Sequence, residues 1–145
     1  MSAVDDVNQL IEQFNLAQGE FLKGNSELMN YLFSHREDVT LANPLSPPAH
    51  GWEQVTSTME RAASQFRDGE YVAIENLEKH VTPELAYVVR VERARAKVGG
   101  SEDTVSIALR VTMIFRPEED GEWKIVHRHA DPITTPQPAE SVIQE

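Results

Sequence analysis

The 145-residue chain contains no cysteine. That excludes a disulfide framework and thiol chemistry, and argues against the class of small secreted domains held by cross-links. Its first residues, MSAVDDVNQL, have neither a basic n-region nor an apolar h-region, so no secretory signal is expected there. No apolar run approaches the roughly 18 residues that span a bilayer. Basic residues are outnumbered, with 13 Lys and Arg against 24 Asp and Glu and a net charge of −11. An acidic surface repels phosphate backbones and anionic lipid heads, so no nucleic acid and no membrane is an expected partner. A Gly-rich phosphate loop, a nucleophile elbow and an HExxH motif are also missing. The expectation left standing is a cytoplasmic protein without a cofactor.

What is present suits a single domain. Hydrophobic residues make up 40% of the chain, enough for a sizeable core. Val4, Val7, Ile11, Phe14, Ala17 and Phe21 recur at steps of three and four and predict an amphipathic helix over 4–22, stopped at Gly24. Asn25 or Ser26 can cap a second helix carrying Leu28, Met29, Leu32 and Phe33. Val39–Ala42 is a short strand candidate. The stretch 43–51, with three prolines, reads as a loop. A third helix follows, with Trp52, Val55, Met59, Ala62 and Phe66 at helical spacing and Asp68-Gly69 closing it. From residue 70 the period changes to two, predicting strands over 70–81, 85–98, 103–116 and 122–130. Short connections make consecutive strands antiparallel neighbours. The expected fold class is α+β, with three N-terminal helices packed on a curled antiparallel sheet over residues 1–131. A Pro-rich tail over 132–145 follows. Long strands curling around helices leave a cavity between the two layers.

Three segments carry a family resemblance. They are Phe21–Asn25 leading through Leu28, Leu32 and Phe33 to Val39–Pro44; Gly51-Trp52; and the strand pair Leu109–Phe115 with Gly121–His129. On them the chain resembles the NTF2-like superfamily, in particular its SnoaL-like and ketosteroid-isomerase-like members, over about residues 4–131. The resemblance implies a cone-shaped fold with an internal pocket. It does not imply one activity, because this fold hosts isomerases, dehydratases, cyclases, hydrolases and assembly domains. Ketosteroid isomerases place a general-base Asp before a proline after the first strand; the matching residue here is Asn43, whose amide accepts no proton at neutral pH. Their helix-one Tyr falls near Ala17, and the strand run 105–116 has no Asp or Glu. The resemblance therefore implies the fold without that isomerase mechanism. The segments Tyr87–Arg90, Arg110 and Trp123–His129 are also similar to the association domain of calcium/calmodulin-dependent kinases. That likeness implies oligomerisation instead of chemistry.

Several residues are candidates for a site. Trp123, Ile125, His127 and His129 share strand parity. If the first two face the helices, both histidines enter the cavity as acid–base groups or ligand donors; the alternative is a pair of hydrogen-bonded structural imidazoles. The spacing His127-x-His129-x-Asp131 fits a metal, but no further ligand cluster is visible, and no metal is expected. Arg90 and Arg110 are carboxylate-binding candidates, with Thr112 beside Arg110; surface ion pairing is the alternative, because parity alone does not fix the face. Phe14 and Trp52 are core residues that can also line a pocket, and Asn43 can contact a ligand or cap a turn. The functional expectation is a pocket for a polar or anionic, partly apolar small molecule. A non-catalytic oligomerisation domain is the alternative. Apolar residues on both faces of strand 103–116 predict a homodimer through the sheet.

Overall fold

The computed structural model describes residues 2–144. Helix α1 spans Ala3–Phe21 and is capped by Ser2, whose Oγ accepts from the Asp5 amide at 3.1 Å. Its buried stripe is Val7, Leu10, Phe14, Ala17, Gln18 and Phe21, while Val4 lies outside it. Gly24, at φ 99°, takes the left-handed turn that ends the helix. The Asn25 side chain then accepts from the Glu27 amide at 3.0 Å and starts α2, Glu27–Leu32. Helix α3, Trp52–Ala63, buries Val55, Thr58, Met59, Ala62 and Ala63.

The strands are β1 (Thr40–Ala42), β2 (Ala49–His50), β3 (Phe66–Val81), β4 (Ala86–Val98), β5 (Thr104–Pro117) and β6 (Trp123–Asp131). They form one sheet in the order β2-β1-β6-β5-β4-β3. The long strands β3 to β6 are an antiparallel meander, as short connections require. The sheet as a whole is mixed, because β1 lies parallel to β6, pairing Thr40 with His127 and Ala42 with His129. A helix-containing connection separates them in sequence, which permits the parallel pairing. The result is an α+β fold: three helices over a curled, unclosed sheet.

Two local expectations are corrected. The stretch 43–51 is not all loop, since Ala49 and His50 pair back onto Leu41 and Thr40. Helix α3 stops at Ala63, and Phe66 opens β3 instead of continuing the helical stripe. Asp68-Gly69 does not close a helix but sits at an irregularity of β3, where the register shifts between Arg67 and Glu70. There the Gly69 amide donates to the Leu22 carbonyl at 3.1 Å.

One core runs between the layers. It joins Val7, Phe14 and Phe21 of α1, Met29 and Leu32 of α2 and Val55 and Met59 of α3 to Val88, Val111, Met113, Phe115 and Ile125 of the sheet. The tail beyond Asp131 adds one exposed helical turn, Ala139–Val142.

Candidate functional site

Alternation along the strands decides which side chains face the helices. On β4 the even-numbered residues point inward: Ala86, Val88, Arg90, Glu92, Ala94 and Ala96 are all buried. On β5 the odd-numbered set does so, with Val111, Met113 and Phe115 buried. Arg90 and Arg110, on neighbouring strands, therefore part company. Arg90 enters the core, whereas Arg110 and Thr112 lie on the outer face.

Strand β6 changes parity midway. Phe115 pairs with Ile125 but Ile114 pairs with His127, leaving Val126 as an extra residue. This β-bulge breaks the alternation. Before it Ile125 faces inward; after it Arg128 and Ala130 are buried, and His127 and His129 turn to the outer face. The expectation that both histidines enter the cavity is thus corrected, because it assumed unbroken alternation. His127 Nδ1 and Thr40 Oγ1 share a hydrogen bond of 2.7 Å. Burial, and then the charge of His129, lower the His127 pKa. His129 Nε2 lies 3.2 Å from Asp131 Oδ2, and Asp131 Oδ1 accepts from Arg110 Nε at 2.7 Å.

The inward-facing group from β4 and β6 is an ion cluster. Arg90, Glu92 and Arg128 are only 1%, 2% and 4% exposed. Glu92 Oε2 accepts from Arg90 Nε at 3.0 Å, from Arg90 Nη2 at 2.8 Å and from Arg128 Nη1 at 3.0 Å. Its Oε1 accepts from Arg128 Nη2 at 2.8 Å. Arg90 also donates to Asn15 Oδ1 at 2.9 Å, which ties the cluster to α1. The Phe14 ring lies beneath both guanidiniums, 5.4 Å from Arg90 and 5.0 Å from Arg128, within cation–π range. Burial pushes the Glu92 carboxyl up, but the two guanidiniums more than offset it and hold its pKa at about 2.

Above this cluster lies a small cavity, about 50 Å³ of which admits the centre of a water-sized sphere. Its walls are apolar, with Phe21, Met29, Phe33, Leu41, Met59 and Leu109 among them. Polar groups reach it at a few points: Gln18 of α1, Asn43 after β1, Tyr71 of β3, Glu92 and Arg128. Asn43 Oδ1 is buried there without a hydrogen-bond partner, and the Tyr71 hydroxyl is buried beside the Glu92 carboxylate. Burial, and then the Glu92 charge, raise the Tyr71 pKa far above its ordinary value, so the phenol stays neutral and keeps its proton.

The sequence candidates are thus divided. Asn43 and Arg90 belong to the cavity or its floor, and Phe14 supports that floor from below. Trp52 opens α3 beside the core and stacks on His35 with ring centroids 3.8 Å apart, away from the cavity wall. His127, His129, Arg110 and Thr112 gather on the opposite face of the sheet. Tyr71, Gln18 and Arg128 were not singled out by the sequence. A signal for the cluster did exist, in Arg90 and Glu92 interrupting an alternating set of small apolar residues on β4. The bulge that brings Arg128 inward has no such signature.

Three helices packed on a curled, unclosed mixed sheet define an NTF2-like fold. The chain belongs to the SnoaL-like domain family, whose model matches residues 7–134. No curated protein matches it by sequence. Solved structures agree with the fold. An NTF2-like superfamily protein from Salmonella enterica superposes with a TM-score of 0.77 at 15% identity, over 94% of each chain. A Streptomyces avermitilis protein of the NTF2-like family, described provisionally as a dehydratase, gives 0.73 at 19% identity, over 92% of this chain and 98% of that one. A Xanthomonas campestris protein, described provisionally as a calcium/calmodulin-dependent protein kinase II association domain, gives 0.67 at 16% identity, over 92% and 90%. At these identities the likeness shows the fold alone. No described helix is long and apolar enough to cross a membrane.

Proposed function

We propose that this chain is a small-molecule-binding domain whose cavity takes a partly apolar ligand with a polar end. The observation that carries the reading is the pairing of an apolar cavity with a buried, partnerless polar atom in its lining, Asn43 Oδ1. A buried polar atom left without a partner costs about 1–3 kcal/mol. A ligand that supplies the missing bonds recovers that energy, and the apolar wall holds the rest of the molecule. Of the side chains lining the cavity, Tyr71, Glu92 and Arg128 titrate, and each is held in one protonation state near neutral pH by the cluster around it. An acid–base group near neutrality therefore has to come with the substrate. This favours binding over the isomerase, cyclase or hydrolase alternatives, because His127 and His129 lie on the outer face, away from the cavity. A thermal-shift screen of partly apolar acids, ketones and alcohols tests the reading. Hits that raise the melting temperature of the wild type and lose their effect in Asn43→Leu support it. A screen without hits favours the assembly role.

The second part of the proposal is a homodimer through the outer sheet face. Tyr87 pairs with Ile114, and Val89 with Thr112, on that face, and Val91 extends the apolar row. The charges around the row balance locally, with Arg110 bonded to Asp131 and Arg93 to Glu75. In a chain of net charge −11, two copies repel each other least where the surface is neutral to basic.

A further inference from the structure

We infer that Gln18 is the residue that recognises the ligand, and that the group it takes is neutral, with a donor and an acceptor side by side, as in a primary amide or a lactam. This deepens the binding proposal and rests on it. Gln18 interrupts the buried stripe of α1, where it is the polar member among Val7, Leu10, Phe14, Ala17 and Phe21. It is 7% exposed and lines the cavity. Its backbone carbonyl accepts from the Leu22 amide at 3.0 Å. Its side-chain amide has no hydrogen-bond partner among the described residues, and neither of its polar atoms is closed over. The surface they keep therefore opens into the cavity. Burying an amide without partners is unfavourable, and glutamine loses more side-chain freedom on burial than leucine does. A leucine would continue the stripe without either cost. A partner that arrives with the ligand accounts for the exception.

The neighbours of Gln18 set the charge. Glu92 and Arg128 also line the cavity, but their bonds are made within the ion cluster. Both Glu92 oxygens accept from guanidinium groups, and Arg128 turns Nη1 and Nη2 to Glu92. Asn15 and the Phe14 ring disperse the positive charge that Glu92 leaves over. A carboxylate beside Gln18 would compete with Glu92 for a guanidinium already forked onto it, and would leave Gln18 Oε1 without a donor. An ammonium would enter beside two arginines. Either ion also gives up its hydration in an apolar cavity. A neutral amide avoids these costs. Its N–H donates to Gln18 Oε1 and its carbonyl accepts from Gln18 Nε2, so both ends of the side chain are satisfied at once. A ketone makes the second bond and leaves Oε1 bare.

The test uses the full chain and matched probes: pentanamide, pentanoate, methyl butyl ketone and pentylamine, with caprolactam against cycloheptanone as a compact pair. Binding constants are read by titrating the Met29 and Met59 methyl resonances, which report occupancy of the cavity. At neutral pH the amide or the lactam is expected to bind about tenfold more tightly than its ketone, the usual order for a buried acceptor left unpaired. The amide also outbinds the carboxylate and the amine. Gln18→Leu, with Gln18→Met as a second apolar variant, is expected to abolish the margin over the ketone while the melting temperature holds or rises. A merely structural glutamine would leave the ratio of amide to ketone unchanged. If neither variant folds, the wild-type comparison decides. Equal binding of amide and ketone, tighter binding of the carboxylate or the amine, or a margin that survives in both variants overturns the inference. Methyl shifts that still saturate then leave the pocket proposal standing. Methyls that no probe moves in the wild type count against both.

Discussion

The Tyr71 hydroxyl is buried beside Glu92 and keeps its proton there. Tyr71→Phe removes a donor from a buried carboxylate and is expected to destabilise the fold by about 1 kcal/mol in urea denaturation. An unchanged or stabilised variant would show that the hydroxyl makes no bond in the folded state. Glu92 itself responds to pH. Its folded pKa, about 2, lies below the ordinary 4.5. A depressed carboxyl contributes stability that is complete above the unfolded pKa and is lost as pH falls through the folded one. The fold should therefore weaken progressively between about pH 4.5 and pH 2. Glu92→Gln removes that part of the pH dependence and, by leaving two buried arginines unpaired, destabilises the fold by about 3–5 kcal/mol at neutral pH. Acid titration of denaturation midpoints for both proteins checks the window and the sign.

At the scale of elements, the close approach of α1 to β3 depends on Gly69. A Cβ at this position would lie 2.6 Å from the Leu22 Cβ, 2.7 Å from the Leu22 carbonyl oxygen and 2.9 Å from the Ala96 Cβ. Two of these neighbours are side-chain stubs and one is backbone, so none can move aside alone. Gly69→Ala should destabilise the fold by about 1–3 kcal/mol, the usual penalty of overpacking, and a melting temperature unchanged from wild type would contradict the packing. Elements of this kind also mark how much the sequence revealed. The helices and the four long strands follow from apolar spacing, because a period of 3.6 or 2 is imposed by the same core that the residues must bury. The parallel seat of β1 beside β6 depends on contacts distant in sequence and has no local signature. The bulge at Val126 is equally silent. Inserting one residue inverts every later side chain on the strand, so reading β6 by parity sent His127 and His129 to the wrong face and overlooked Arg128. Asn43 and Arg90 do not depend on that bulge, and they lie in the cavity lining and in the ion cluster respectively. Tyr71 lay inside the strand read over 70–81, but register shifts between Arg67 and Glu70 and between Tyr71 and Ala73 break the alternation around it.

For the whole molecule, the sheet has two faces with different surroundings. The inner face closes the cavity. The outer face carries Tyr87, Val89, Val91 and Ile114, with the two histidines and the Arg110–Asp131 pair beside them. If this face joins two copies, Ile114→Lys places two like charges near each other across the dyad and should yield monomers by sedimentation at micromolar concentration. Raising the salt should tighten the wild-type dimer, because it screens the repulsion between two chains of charge −11. A wild-type protein that sediments as a monomer at every salt concentration would remove this face from the account. The central claim concerns the inner face, and methionine methyl resonances report on it directly. Met29 and Met59 line the cavity, and Met113 lies 3.6 Å from Arg128 on its floor. Titrating methyl-labelled protein with a partly apolar compound that raises its melting temperature is predicted to shift Met29 and Met59 together, saturably. Unmoved methyls on addition of a ligand that calorimetry shows to bind would place the ligand outside the cavity and contradict the account.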